Sequence, residues 1–209
     1  MMQEIILASG SPRRKELLQQ IGIPFQVIKS DTEEKITKTD PADIVKELSL
    51  QKASEVAAGI QQGIVLGADT IVCLGHEIMG KPKDREDARK MLGELQGKAH
   101  SVFTGVTLIR KTPGAPESIR TFYRETKVWV HSMTAEEIEG YLETGDAFDK
   151  AGSYGIQGPF AAYIDGIEGS YNNVVGLPVS AVYQELKCIL RDTVTDKKHS
   201  QGTDPGAGR

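Results

Sequence analysis

The chain has few of the residues that usually announce a special chemistry. Its two cysteines, Cys73 and Cys188, sit far apart inside apolar stretches ("TIVCLG" and "LKCIL") with no metal-like spacing, so both read as buried reduced thiols. The histidines, His76, His100, His131 and His199, show no ligand spacing, and no G-x-S-x-G elbow occurs. Zinc sites and serine hydrolases of that kind therefore drop out. Aromatics make up only 6% of the chain and the net charge is -4, with a pI near 5.6, which argues against a general nucleic-acid or anionic-membrane surface. Any anion site must be local. No apolar run approaches the roughly 18 residues of a membrane span, and "MMQEIILAS" carries an acid where a secretory leader would be basic. A soluble, cytoplasmic protein is expected.

At 209 residues the chain suffices for one sizeable domain, at most one with two lobes. Residues 4–9 read as a buried strand, and Ser11-Pro12 opens a helix that Gly22 closes. "FQVIKS" is a second strand and "DTEEKITKTD" a polar loop. Asp40-Pro41 caps a helix to about Ala58, with Ile44, Leu48, Lys52 and Val56 recurring at helical spacing. "GIVLGADTIVCLG" is two β runs broken at Gly67 to Thr70, and Asp84 caps a helix ending near Gly97. Runs 99–110 and 119–131 form a long hairpin, and Thr134 with Glu137 makes a capping box. A glycine-rich stretch, a short strand, a turn and a helix from Pro178 to Leu190 follow. The expected division is a domain over 1–191 and a disordered tail over 192–209, and the fold class is α/β with a mixed sheet.

Several stretches could carry chemistry, each with a plainer alternative. "LASGSPRRKELL" puts Arg13 and Arg14 in the first turn of a helix, where the dipole disfavours cations unless an anion also binds. Either the pair is solvated, or Ser9, Ser11, the helix N–H groups and the guanidiniums form a phosphate cradle. "GADT" places Asp69 between two apolar runs, as a turn or as a catalytic acid beside the core. Lys52 falls on the apolar face of its helix and either snorkels or points into a cleft. "GKPKD" around Lys81 reads as a surface turn and Glu33-Glu34 as a solvated pair, taken singly. "DKAGSYGIQG" fits no dinucleotide fingerprint, and its glycines suit a flexible loop or a backbone passing close to a ligand. Together the cations, the acids and the glycine-lined wall suit phosphate-ester chemistry.

"LASGSPRRKELL", "EE", "QKA", "GADT", "GKP", "HSVFTGV", "DKAGSYGIQG" and "NNVVGLP", in this order over residues 4–190, resemble the Maf family of nucleoside triphosphate pyrophosphatases, also called septum formation proteins. The resemblance implies an inosine-triphosphatase-like fold: an elongated mixed sheet with flanking helices, in two lobes around a deep cleft. It implies hydrolysis of a nucleoside triphosphate to the monophosphate and pyrophosphate, with a divalent cation, Mg²⁺ or Mn²⁺, as cofactor. Carried over, Asp69 is the proton acceptor, Ser9, Arg14, Lys52 and Lys81 bind phosphate, and Glu34 and Asp69 hold the metal. Three positions separate a dTTP/UTP branch from a 7-methyl-GTP branch. Here they read Arg13, Thr70 and Gln157, all of the pyrimidine type, although Pro159 departs from the family pattern beside Gln157. Homodimers are common in the family the chain resembles, though no surface stripe here demands one, while the acidic balance and the scarcity of aromatics speak against nucleic-acid partners and the lack of a long apolar run against a membrane. A second reading, a nucleotide-responsive regulator of cell division acting by binding, would not need Asp69 as a base.

Overall fold

The structure, a computed structural model, describes residues 4–199 and, over 192–199, the backbone alone. The elements in chain order are β1 (Ile5–Leu7), α1 (Pro12–Gln20), β2 (Phe25–Val27), α2 (Pro41–Ala58), β3 (Gly63–Leu74), β4 (Glu77–Met79), α3 (Arg85–Leu95), β5 (Ala99–Lys111), β6 (Ser118–Val130), α4 (Ala135–Glu143), β7 (Ile164–Glu168), α5 (Tyr171–Val175) and α6 (Val179–His199). One seven-stranded sheet runs β2-β1-β3-β5-β6-β7, with β4 pairing β3. β1 is parallel to β2 and β3, and the remaining pairs are antiparallel. This is the mixed sheet with flanking helices that the sequence pattern predicts.

The helix starts follow local chemistry. Asp40 accepts from the Ala42 and Asp43 amides, Asp84 from the Asp87 amide, and Thr134 and Glu137 close a reciprocal capping box. Three expectations need correction. β3 is one continuous 12-residue strand through Gly67–Thr70, with no turn at "GADT". α6 continues to His199, past the end near Leu190 that the apolar period predicts. The expected disordered tail falls partly on that helix, and its last residues, 200–209, lie outside the described residues. The third correction concerns the glycines of "DKAGSYGIQG". A Cβ at Gly152 would lie 3.0 Å from the Val72 side chain, and one at Gly155 or Gly158 would meet Lys150 or Asp146. Neighbouring side chains thus fill the space beside them, and the loose loop is not found.

β3 explains where a site can form. Its side chains alternate between faces, and on each face a polar residue interrupts the apolar row. On one face Ile64, Leu66 and Ala68 join a core with Leu17, Leu18, Val182 and Leu186, while Val72 joins a second core with Leu92, Leu142 and Phe160. Thr70 falls between them. On the other face Val65 packs with Ala53, Val56 and Ala57, and Ile71 and Cys73 pack with Ile44, Val45 and Leu48. Asp69 falls between those. The same stretch is open at its edge: β1 pairs β3 only through Leu66 and β4 only from Val72 onward.

α2 approaches this sheet unusually closely. A Cβ on Gly67 would lie 2.4 Å from the Ser49 carbonyl oxygen, and one on Gly105, the register partner of Asp69, 2.1 Å from the Val45 carbonyl oxygen. Both glycines are needed because helix backbone, not a yielding side chain, fills the space. Gly67 therefore marks a contact rather than a turn, which is why the strand passes through it. Cys73 is buried with its thiol pushed up to about 11 by desolvation, Cys188 is half-buried, and both are free. Among the described residues, no helix is long and apolar enough to cross a membrane.

Two stability predictions arise here. Gly105→Ala forces α2 off the sheet and should cost about 3 kcal/mol by the usual penalty of overpacking, read by urea unfolding; a variant as stable as the parent would remove the close-approach explanation. His100 is buried, with Nε2 2.7 Å from the Tyr154 hydroxyl and Nδ1 without a partner, and burial lowers its pKa to about 4. The unfolded chain binds this proton more readily, so the contribution is complete above the ordinary value of 6.5 and is lost as pH falls through about 4. Unfolding free energy should drop by about 2 kcal/mol between pH 7 and pH 5 on this account. His100→Gln should flatten that slope; an unchanged slope would assign it to other groups.

Candidate active site

Ser9 leaves the end of β1 beside the open edge of β3 and is 8% exposed. Its hydroxyl accepts from the Ser11 amide at 3.3 Å and from Arg14 Nη1 at 3.1 Å. Ser11 stands at the N-cap of α1, yet no side chain caps that helix. Pro12 stands at the start of the helix, and among the described residues no side chain satisfies the N–H groups of its opening turn.

Arg14 is bound entirely by neutral oxygens. Nε donates to the Gly176 carbonyl at 2.9 Å, Nη1 to Ser9, and Nη2 to the Thr70 hydroxyl at 3.2 Å. Burial lowers its pKa from the ordinary arginine value, and the nearby charges of Asp69 and Glu34 oppose that shift. No carboxylate pairs with it directly among the described residues. A partly buried guanidinium whose direct partners are all neutral oxygens keeps its charge available to an arriving anion. Beneath it, Thr70 Oγ1 meets Thr104 Oγ1 at 2.9 Å, and Thr104 donates to the Asn173 carbonyl at 3.0 Å. Asn173 is itself fully buried and donates to the Val102 carbonyl and to Thr126. "NNVVGLP" thus enters the site through the backbone oxygens of Asn173 and Gly176.

On the other face of β3, Lys52 Nζ lies 2.5 Å from Asp69 Oδ1 and 2.8 Å from Glu34 Oε1. One ammonium holds two carboxylates. Asp69 is 8% exposed, and Glu34 reaches in from the exposed loop before α2. Lys52 occupies the slot in the apolar row of α2 that the sequence marked, with its head turned inward. The two carboxylates are a donor set for a hard cation, which would complete its shell with water and phosphate oxygens. Among the described residues, no group of three or more His, Cys, Asp or Glu converges to hold a metal by itself.

Ser9, Arg14, Glu34, Lys52, Asp69 and Thr70 therefore meet around the open stretch of β3. The other three residues singled out from the sequence stand apart from that network. Arg13 forms an exposed ion pair with Asp149 at 2.9 Å. Lys81 is exposed just after β4, where the Gly80 carbonyl accepts from the Gly152 amide at 3.0 Å. Gln157 is exposed in the glycine-rich segment. Sequence reasoning assigned no role to Thr104, Asn173 or Asp149. "NNVVGLP" and "HSVFTGV" were visible as motifs, but their bonds to Arg14 and Thr70 span the chain.

The profile of the family described as Maf-like protein matches residues 4–189. A dTTP/UTP pyrophosphatase of Agathobacter rectalis is 52% identical over 89% of this chain and 97% of that one. Another of Bacillus cytotoxicus is 51% identical over 89% and 95%. The Ham1 protein of Staphylococcus aureus superposes with a TM-score of 0.40 at 15% identity, over 61% of this chain and 72% of that one, a likeness too loose to carry an argument.

Removing Lys52 leaves the buried Asp69 carboxylate facing the half-exposed Glu34 carboxylate with no cation between them. Lys52→Ala should destabilise the protein by about 3 kcal/mol, the scale for stripping one partner from a buried pair, and adding Asp69→Asn should restore part of that. Calorimetry of both variants checks the sign; additive losses would mean that the two groups are not coupled.

Proposed function

Because the chain belongs to the Maf-like protein family, we propose that it hydrolyses dTTP and UTP to the monophosphate and pyrophosphate. It is a nucleoside triphosphate pyrophosphatase, as relatives half identical over nearly their whole length are named. The observation that carries the reading is the meeting, at one strand edge, of a partly buried arginine held by neutral oxygens with a lysine-bridged pair of carboxylates.

Water attacks the α-phosphorus, the bond from that phosphorus to the oxygen bridging to the β-phosphate breaks, and pyrophosphate leaves. Asp69 accepts the water's proton at Oδ2, because Lys52 holds Oδ1. Lys52 fixes the direction of that carboxylate. Arg14, Ser9 and the first turn of α1 hold phosphoryl oxygens, and Lys81, free at the surface, closes on the leaving end. Glu34 and Asp69 fit a divalent cation, Mg²⁺ or Mn²⁺, which when bound neutralises charge on the triphosphate.

Pyrimidine selection rests mainly on Gln157. A uracil or thymine edge presents acceptor, donor and acceptor, and a glutamine amide both gives and takes. Arg13 would repel the cationic ring of 7-methylguanine, but Asp149 at 2.9 Å blunts that repulsion. Thr70 acts through Arg14, whose Nη2 it receives. The reading carries a cytoplasmic location, where free nucleotides are, and pairing of two copies.

Pyrophosphate release from dTTP, UTP, CTP and 7-methyl-GTP tests both parts. Asp69→Asn should lower dTTP turnover by about a thousandfold, within the range of a lost general base, while nucleotide still binds. An unchanged rate would sink the mechanism, and equal rates across the panel would reject the pyrimidine assignment.

A further inference from the structure

Residues 28–40, which bring Glu34 to the site, contain no helix or strand, and almost all are exposed. Their one large aliphatic side chain beyond Ile28, that of Ile36, is 57% exposed, so no apolar anchor holds the segment down. A strap of this kind should sample many positions unless polar contacts select one.

Three side chains of α2 make those contacts. Glu47, Gln51 and Glu55 are four residues apart and so share one helix face. Glu55 accepts from the Ser30 hydroxyl and, at 3.0 Å, from the Thr32 amide. Gln51 accepts from the Lys35 amide at 3.0 Å and donates back to the Lys35 carbonyl at 2.6 Å. Glu47 accepts from the Thr37 amide at 2.9 Å and from its hydroxyl at 2.6 Å. The Thr37 bonds hold the Glu47 carboxyl below its ordinary pKa. The strap thus runs antiparallel to the helix with its backbone gripped at both ends and in the middle. Gln51 grips the residue next to Glu34, and Lys52, next to Gln51, receives the Glu34 carboxylate at 2.8 Å.

We propose that Glu47, Gln51 and Glu55 are positioning residues: they clamp residues 30–37 along α2 and so set Glu34 against Lys52 and Asp69. The clamp rests on the assignment of Glu34 to cation and phosphate binding for its consequence, and on the hydrogen bonds alone for its existence. Each exposed bond is worth little by itself, so the grip depends on all three acting together. Glutamine at 55 accepts both bonds at one oxygen, and at 47 it accepts from the Thr37 amide and can give its own N–H to the Thr37 hydroxyl, whereas alanine does neither, which separates the grip from a charge effect.

The test uses the whole chain in three forms, Glu47→Ala/Gln51→Ala/Glu55→Ala, Glu47→Gln/Glu55→Gln and Glu34→Gln. Amide hydrogen exchange of the free protein reads the clamp without reference to activity. Mn²⁺ titration and dTTP turnover read its effect on the site. The alanine form should exchange faster across residues 30–37 only and bind Mn²⁺ about tenfold more weakly, the lower end of the loss expected when a ligand's supporting partner is removed. Its kcat should fall more than its KM rises, while the glutamine form stays near the parent in every readout. Unchanged exchange in the alanine form overturns the clamp. So does faster exchange with parental Mn²⁺ affinity, if Glu34→Gln loses that affinity. Should Glu34→Gln bind Mn²⁺ and turn over like the parent, the role given to Glu34 falls, and exchange alone decides whether the strap is clamped.

Discussion

One ammonium, that of Lys52, lies between two carboxylates, and the site depends on the distance from α2 to the sheet that allows it. Charges removed from water are retained only when their geometry is good, and here the geometry is set by backbone. Gly67 and Gly105 bring the helix so near that a methyl group on either would meet the Val45 or Ser49 carbonyl. Along the helix axis, Ile44, Val45 and Leu48 on one side of Lys52 and Ala53, Val56 and Ala57 on the other are buried against the same sheet face. The apolar packing that flanks Lys52 thus supplies the free energy that offsets its partial desolvation. A helix held less closely would leave the lysine in water and the two acids apart.

β3 organises the remainder. Because its side chains alternate, adjacent residues Asp69 and Thr70 emerge on opposite faces and serve different partners, Lys52 on one and Arg14 on the other. Two faces become one site only because, among the described residues, no strand covers the edge between Leu66 and Val72. β1 is short, and the chain turns out of the sheet at Ser9 and starts α1 there, which sets a helix N-terminus beside the gap. β4 restores pairing just beyond it. The brevity of β1 and β4 is therefore as much a part of the site as the charged residues.

The sequence discloses what is local. Asp40, Asp84 and the Thr134/Glu137 pair start their helices as written, because a cap is decided within three residues. Lys52 betrays itself as a cation in an apolar helical row. The continuity of β3 was hidden, since glycine and aspartate favour turns and only contact with α2 shows what Gly67 is for. The clamp on Glu34 was hidden too: Glu47, Gln51 and Glu55 look like a solvated face until the loop laid along them is seen. The partner of Arg13 lies 136 residues away, beyond the reach of any pattern. The eight ordered motifs gave the family, but they could not say that "NNVVGLP" acts through carbonyl oxygens.

The two arginines that open α1 have different tasks. Helix geometry sends consecutive residues about 100° apart, so one can turn inward while the other faces solvent. Arg13 turns outward to Asp149 and ties α1 to the glycine-rich segment by an exposed pair, a contact that contributes little to stability. Arg14 turns inward and gives its donors to Ser9, Thr70 and Gly176, with no carboxylate bound to it directly among the described residues. Neutral acceptors fix its plane without cancelling its field, and that combination suits an arriving polyphosphate better than a salt bridge would, because no resident carboxylate has to be displaced. The helix dipole makes a cation at this end unfavourable, and the same unsatisfied N–H groups make an anion favourable.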